Sequence, residues 1–319
     1  MKITVVGAGG NVGSTVAHAI GIRDFAEEVV MVDIVKEDDD GNKFYPSKGR
    51  ALDQWESAPV LSFDTKLTGT VDYEDTKDSD ICVITAGVPR RPGMSRDDLL
   101  EINANIVQDV TSKLVEHSPN TILIVVSNPL DVMTNVAYET SGFDSSRVMG
   151  MAGILDTARY RAFIAEELDI SPKDIQALLM GGHGDTMVPL PRFTTIGGMP
   201  VTHFIDEDRL QEIVDRTKKG GGELVGLMGT SAWYAPGAAA AQMVEAIALN
   251  QNRVFPVCAR LNGHYGVEDL YLGVPVKLGN GGIKEIIEVD LNDDEQKMLD
   301  ESAEHVASVM KDFRELMAS

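Results

Sequence analysis

ITVVGAGGNVG, residues 3–13, is the stretch from which the fold is read. Ile3, Thr4, Val5 and Val6 are all β-branched and favour a strand. Gly7, Gly9, Gly10 and Gly13 follow, and the pattern NVGSTVAHAIGI, residues 11–22, is helical. A strand whose closing glycines open a helix lets the backbone approach a pyrophosphate and turns the positive end of the helix dipole toward it. The spacing reads as G-x-G-x-x-x-G or G-x-x-G-x-x-G, one residue longer than the usual dinucleotide turn. Asp33 closes the next apolar run, VVMVDI. An acid about 20 residues beyond the glycines accepts both ribose hydroxyls and repels a 2′-phosphate, which favours NAD over NADP.

Outward from that turn the alternation continues through DICVITA (80–86), a helical pattern over residues 97–116, and TILIVVS (121–127). Val- and Ile-rich runs without an exposed face belong to a buried parallel sheet. The predicted class is α/β: a Rossmann-type doubly wound parallel sheet followed by an α+β catalytic domain. In the helix over 97–116, Leu99, Ile102, Ile106, Val110 and Leu114 recur at steps of three and four and are expected on the core, and Pro119 ends it. Near Arg147 the texture changes, which predicts an NAD-binding part of residues 1–150 and a substrate-binding part of residues 151–319. The second part carries helices near 206–227 and 236–250, a meander (VFPVCARL, YLGVPVKLG, GIKEIIEV) and a last helix. That helix opens at the capping pair Asn292 and Glu295, with Met298, Val306, Met310 and Phe313 expected on one face. KEDDDGNKFYPSK, residues 36–48, reads as a solvated loop.

The 319 residues carry 50 acids against 28 bases, a net charge of −22. That balance argues against nucleic acid or an anionic membrane as partner. It also makes the surface repel itself, so the chain is expected to be halophilic, working where the screening length falls to about 3 Å at 1 M salt. No run approaches the roughly 18 apolar residues of a membrane span, and MKITVVGAGG resembles neither a secretory nor a transit signal; the cytoplasm is the expected compartment. Cys82 and Cys258 lie in apolar runs and are expected as buried free thiols, with no metal site.

Three segments carry candidate chemistry. GGHGD puts His183 at the end of an apolar strand between glycines, unlike His18, His117 and His305 in helical patterns or His203 and His264 in loops. In LDTARYR, Asp156 and Arg159 are three apart, so they share a helix face and can enter one pocket. A carboxylate behind an imidazole fixes its tautomer, and an arginine fork suits a substrate carboxylate. AGVPRRPGMSRDDL follows a strand at the end of the sheet where ligands bind and loads a loop with Arg90, Arg91 and Arg96, which in so acidic a chain suggests an anionic substrate. Taken singly, each also fits an ordinary turn, a surface ion pair or a solvated loop.

GAGGNVG, Asp33, AGVPRRPGMSRDDL, SNPLD, LDTARYR and GGHGD, in this order and along nearly the whole chain, resemble the lactate and malate dehydrogenase family. The resemblance implies that His183 gives and takes the proton, that Asp156 is its partner and that Arg159 holds the substrate 1-carboxylate. It implies that Arg96 polarises the reacting carbonyl and that Asn128 orients substrate and nicotinamide. The cofactor is then NAD, bound by Gly7, Gly9, Gly10, Gly13, Asp33, Asn103 and Asn128. The family separates lactate from malate enzymes by the residue six before the loop arginine, Gln or Arg, and here it is Arg90. An enclosed arginine matches a second carboxylate and is left unpaired by a methyl group, which favours a dicarboxylate. Ser231 in GTSAWYAPG matches a hydroxyl position of the substrate pocket.

The implied activity is malate dehydrogenation in the tricarboxylic acid cycle by a homotetramer, with a homodimer as the alternative. A lactate or broader 2-hydroxyacid dehydrogenase is the nearest competing reading. An NAD-dependent glycosidase lacks the metal-binding residues, and a silent NAD-binding protein leaves the intact His183, Asp156, Arg159 and Arg96 unexplained. Two departures from the family pattern, the longer glycine turn and the longer loop over residues 36–47, both fall on the adenosine side of the cofactor.

Overall fold

The computed structural model describes residues 1–89 and 96–318, without the side chains of Arg96 and Ala318; Arg90 and Arg91 lie outside the described residues. The chain begins with β1 (Lys2–Val6), α1 (Asn11–Gly21) and β2 (Glu28–Val32). Next come α2 (Pro46–Glu56), the single turn α3 (Ala58–Leu61), β3 (Lys66–Thr70), β4 (Ile81–Ile84), α4 (Arg96–His117) and β5 (Ile122–Val125). These strands and β6 (Val148–Gly150) pair in parallel in the order 3-2-1-4-5-6. This is the doubly wound order expected from the sequence. The direction of winding reverses between β1 and β4, opening a crevice beyond their carboxyl ends. β4 and β5 are buried along their whole length, as strands covered by helices on both faces must be.

Between β5 and β6 runs α5 (Leu130–Ser141), and after β6 come α6 (Gly153–Leu168), β7 (Leu179–Gly181), β8 (Met187–Pro189), α7 (Glu207–Met228) and α8 (Tyr234–Ala248). The expected meander is present as β9 (Arg253–Asn262), β10 (Glu268–Gly279) and β11 (Gly282–Ile286), and α9 (Asp293–Ala318) closes the chain. The meander extends the parallel sheet rather than forming its own: β9 joins β6 at Cys258 opposite Gly150, and β10 joins β7 at Gly273 opposite Gly181. Both junctions need glycine. A Cβ on Gly150 would lie 2.5 Å from Thr134 Oγ1, and one on Gly273 would lie 2.3 Å from the Gly181 carbonyl oxygen.

Two helix faces differ from expectation. In α4 the buried seam is Leu100, Ala104, Val107, Val110 and Leu114, whereas Ile102 is 38% exposed. The face is turned because α4 packs against α5 and α9 as well as β4. In α9 the expected capping box forms, with Asn292 Oδ1 accepting from the Glu295 amide and a Glu295 carboxylate oxygen accepting from the Asn292 amide, each at 2.9 Å. Leu299, Val306, Met310 and Phe313 are buried there, but Met298 is not. Steps of four drift about 40° each around a 3.6-residue helix, which carries Met298 off the face.

Cys82 and Cys258 are buried free thiols, as expected. Among the described residues no helix is long and apolar enough to cross a membrane. The stretch over residues 36–45 is exposed, with a two-residue hairpin inside it. Gly273→Ala should lower unfolding free energy by about 1–3 kcal/mol by forcing β10 off β7; an unchanged urea midpoint would refute this account of the junction.

Candidate active site

The glycine turn is shaped by what surrounds each residue. Gly7 has φ +83°, and a Cβ there or on Gly13 would lie within 2.7 Å of Thr85 Oγ1. Thr85 follows β4 and donates to the Val6 carbonyl at 2.8 Å, so it clips the two central strands together at the crevice. Gly9 donates its amide to Asp33 Oδ2 at 2.7 Å, and a Cβ on it would strike Asp33 and Pro46. Gly10 is the N-cap of α1, its amide bonded to the Gly7 carbonyl. The structure thus brings all four glycines and Asp33 together. Residues without a Cβ let the turn pack this closely against Thr85, Asp33 and Pro46, beside a first helical turn whose amides have no intrahelical acceptor. These residues fit a dinucleotide.

The catalytic candidates converge from three elements. Asp156 lies in the first turn of α6, where the helix dipole favours a carboxylate, and is 2% exposed. Its Oδ2 is 2.9 Å from His183 Nδ1, and its Oδ1 is 3.4 Å from Arg159 Nη1. The latter contact is long for a charge-assisted bond, and Arg159 Nε is buried with no partner among the described residues. The guanidinium therefore keeps donors for another anion. Gly220 of α7 makes room for it, since a Cβ there would stand 3.2 Å from Arg159 Cδ.

His183 follows β7 between Gly182, whose amide donates to Ser302 of α9 at 2.8 Å, and Gly184 at φ +129°. Its own amide donates to Asp131 Oδ2 at 3.2 Å. Burial alone would depress the imidazole pKa, but the charge and hydrogen bond of Asp156, helped by the charge of Asp131, outweigh burial and the nearby Arg159 and raise it above the usual 6.5. Asp131, in the SNPLD segment, is itself pushed up by burial, against the Cys258 thiol that donates to its other oxygen at 3.2 Å.

His183, Asp156, Arg159, Asn128 and Ser231 line one cavity of about 510 Å³, together with Val12 of α1. Lys218 and Lys219 of α7 line it too, and Gly221 and Gly222 leave open space over it. A larger groove of about 820 Å³ runs along α9, but its ionisable lining is mainly Glu268, Asp269, Asp300, Glu304 and Glu315, the wrong sign for an acid. Asn103 is buried in α4 and its amide is committed: Oδ1 accepts from Val88, and Nδ2 donates to the carbonyls of Asn128 and Val88. It ties the start of the loop before α4 to Asn128. Arg96 opens α4, and Arg90 lies outside the described residues.

Sequence reading missed Asp131, Thr85 and the lysine pair. Asp131 was visible inside SNPLD and the lysines as two bases before a glycine run in an acidic chain, but only packing shows what they face. Among the described residues no group of His, Cys, Asp and Glu could hold a metal ion.

The chain matches the family models for the lactate/malate dehydrogenase NAD binding domain over residues 1–150 and the lactate/malate dehydrogenase alpha/beta C-terminal domain over residues 154–317. It belongs to the lactate/malate dehydrogenase family. It is 61% identical to a malate dehydrogenase of Salinibacter ruber, across 99% of this chain and 98% of that one. With the solved structure of malate dehydrogenase from Salinibacter ruber it shares a TM-score of 0.93 at 58% identity, covering 100% of this chain and 99% of the other. The malate dehydrogenase of Plasmodium falciparum in complex with NADH gives 0.89 at 34% identity, with 99% of each chain covered. The cofactor is NAD, as the sequence implied.

Because the fold favours the His183 cation, its share of stability is present below the ordinary imidazole pKa and is lost as pH rises through the raised value. Asp156→Asn removes the main opposing charge to burial. An NMR titration of His183 should find the midpoint above 6.5 in the parent protein and at lower pH in the variant; equal midpoints would discount Asp156 as the cause.

Proposed function

We infer that this chain catalyses the reversible oxidation of (S)-malate to oxaloacetate with NAD. The observation that carries the reading is the His183 imidazole, bonded at 2.9 Å to a buried carboxylate, facing the same cavity as the under-used Arg159 guanidinium. NAD, when bound on the glycine turn with its ribose at Asp33, supplies the hydride acceptor. Gly7, Gly9, Gly10 and Gly13 hold its pyrophosphate, and Asn103 acts by fixing Asn128 beside the nicotinamide. Neutral His183 takes the hydroxyl proton at Nε2, and ionised Asp156 stabilises the resulting imidazolium. In the reverse direction the raised pKa keeps that proton available near neutral pH.

Arg159 holds the 1-carboxylate by its fork, and Arg96 stabilises charge growing on the reacting oxygen. Arg90 pairs with the second carboxylate, and Ser231 contributes a hydroxyl to the pocket wall. Lys218 and Lys219 add positive charge to the same cavity. Lactate dehydrogenation is disfavoured because an enclosed Arg90 would face a methyl group. The names of relatives 61% and 57% identical, both malate dehydrogenases, support the dicarboxylate.

The polypeptide works as an NAD-binding part of residues 1–150 and a substrate part of residues 151–319. It is a cytoplasmic, halophilic homotetramer, or homodimer, serving the tricarboxylic acid cycle. The exposed apolar side chains of Leu52, Trp55 and Val60 on α2 and α3 support assembly, since a second copy would cover them.

Initial rates with oxaloacetate, pyruvate, NADH and NADPH in dilute buffer and molar KCl test this. Oxaloacetate with NADH should exceed pyruvate in kcat/KM by about 10²-fold or more, and Arg90→Gln should shrink or reverse the margin. A preference for pyruvate would overturn the substrate. His183→Asn should still bind NADH while turnover falls by about 10²–10⁴; normal turnover would remove His183 from the chemistry. The melting temperature should rise in KCl.

A further inference from the structure

The glycine turn carries one residue more than the common dinucleotide turn, and a longer loop has more conformational freedom to lose when it closes on a ligand. The structure supplies a brace from the next helix. Arg50 of α2 donates three separate hydrogen bonds to the segment 9–14: Nε to the Gly9 carbonyl at 3.0 Å, Nη2 to Asn11 Oδ1 at 2.9 Å and Nη1 to Ser14 Oγ at 3.2 Å. Gln54, one helical turn on, adds bonds from Nε2 to the Ser14 carbonyl and hydroxyl, both at 2.9 Å. Gly9 is therefore gripped on both sides, its amide by Asp33 and its carbonyl by Arg50.

Charge makes the arrangement unusual. All three Arg50 acceptors are neutral, and among the described residues it pairs with no carboxylate, although the chain carries a surplus of 22 negative charges. The guanidinium is half-buried at the start of α1, the end of a helix where a cation is disfavoured. Gly10 caps that helix without a side-chain bond, and its first turn contains no acid. A cation and a positive helix end, neither of them paired with a carboxylate, become favourable once an anion sits against both.

We propose that Arg50 is the positioning residue of the cofactor turn: it holds the lengthened turn in its phosphate-accepting shape and provides the fixed positive charge that the cofactor pyrophosphate meets. This rests on residues 7–13 being the NAD turn. It assigns to the adenosine side of the site a cation that the glycine pattern does not contain.

Calorimetric titration of the full-length parent, Arg50→Met and Arg50→Lys with NADH, ADP-ribose and adenosine separates the possibilities. Arg50→Met should weaken NADH and ADP-ribose, which contain the pyrophosphate, by about tenfold or more. Adenosine, which lacks it, should bind within about twofold of the parent. Arg50→Lys keeps the charge but cannot form three bonds from a planar fork, so it should recover only part of the loss. Unchanged NADH and ADP-ribose affinities in Arg50→Met would overturn the proposal. So would an equal loss for adenosine, which would make Arg50 a general support of the pocket. If Arg50→Met does not fold, Arg50→Lys decides, and parent-like affinity for all three ligands overturns it. A parent protein that binds neither NADH nor ADP-ribose would overturn the cofactor reading of the turn and this proposal with it.

Discussion

The buried pair of Asp156 and His183 is the constraint around which the rest is arranged. A carboxylate that is 2% exposed costs several kcal/mol unless it is paired and hydrogen-bonded. Its partner comes from a strand end 27 residues further along the chain. Bringing them together requires the first turn of α6 to pack beside the end of β7. β7 reaches that place only because β9 and β10 extend the parallel sheet past β6, through junctions where glycine lets backbones touch. Ser302 of α9 and Asp131 of α5 then hold the amides of Gly182 and His183. Residues from the middle and the end of the chain thus set the orientation of one imidazole.

The charge distribution has the same logic. A chain with 50 acids and 28 bases would repel an anionic substrate and an anionic cofactor over long range. Cations are instead kept at the candidate site: Arg159, Lys218 and Lys219 on the cavity that His183 lines, Arg50 on the glycine turn. Salt that shortens the screening length to about 3 Å weakens the distant repulsion more than these short contacts. An acidic surface and a basic site are therefore compatible, most of all in concentrated salt.

Much of the site was legible because its chemistry is local. Gly7 to Gly13, Asp33, the Asp156 and Arg159 pair and His183 each occupy a position set by short-range geometry: a strand-to-helix turn, a strand end, a shared helix face. The Asn292 and Glu295 box was legible for the same reason. Ile102 and Met298 were misplaced because periodicity finds an apolar face without saying which neighbours bury it. What the sequence did not show of Asn103 is that its amide bonds the backbone of Val88 and Asn128, an arrangement created by contacts between α4 and the segment after β5.

By itself the sequence determined the class of fold, the glycine turn ahead of α1 and the residues proposed as the proton-transfer pair, since each is encoded by residue type at fixed local spacing. Tertiary structure alone decided that the meander joins the parallel sheet. It also decided that Asp131 and Asp156 both act on His183, that the lysines of α7 line the same cavity as His183, and that Arg50 clamps the glycine turn. Those contacts join residues whose separation along the chain carries no periodic signal, and only packing, which must place each buried polar group beside a partner, brings them together.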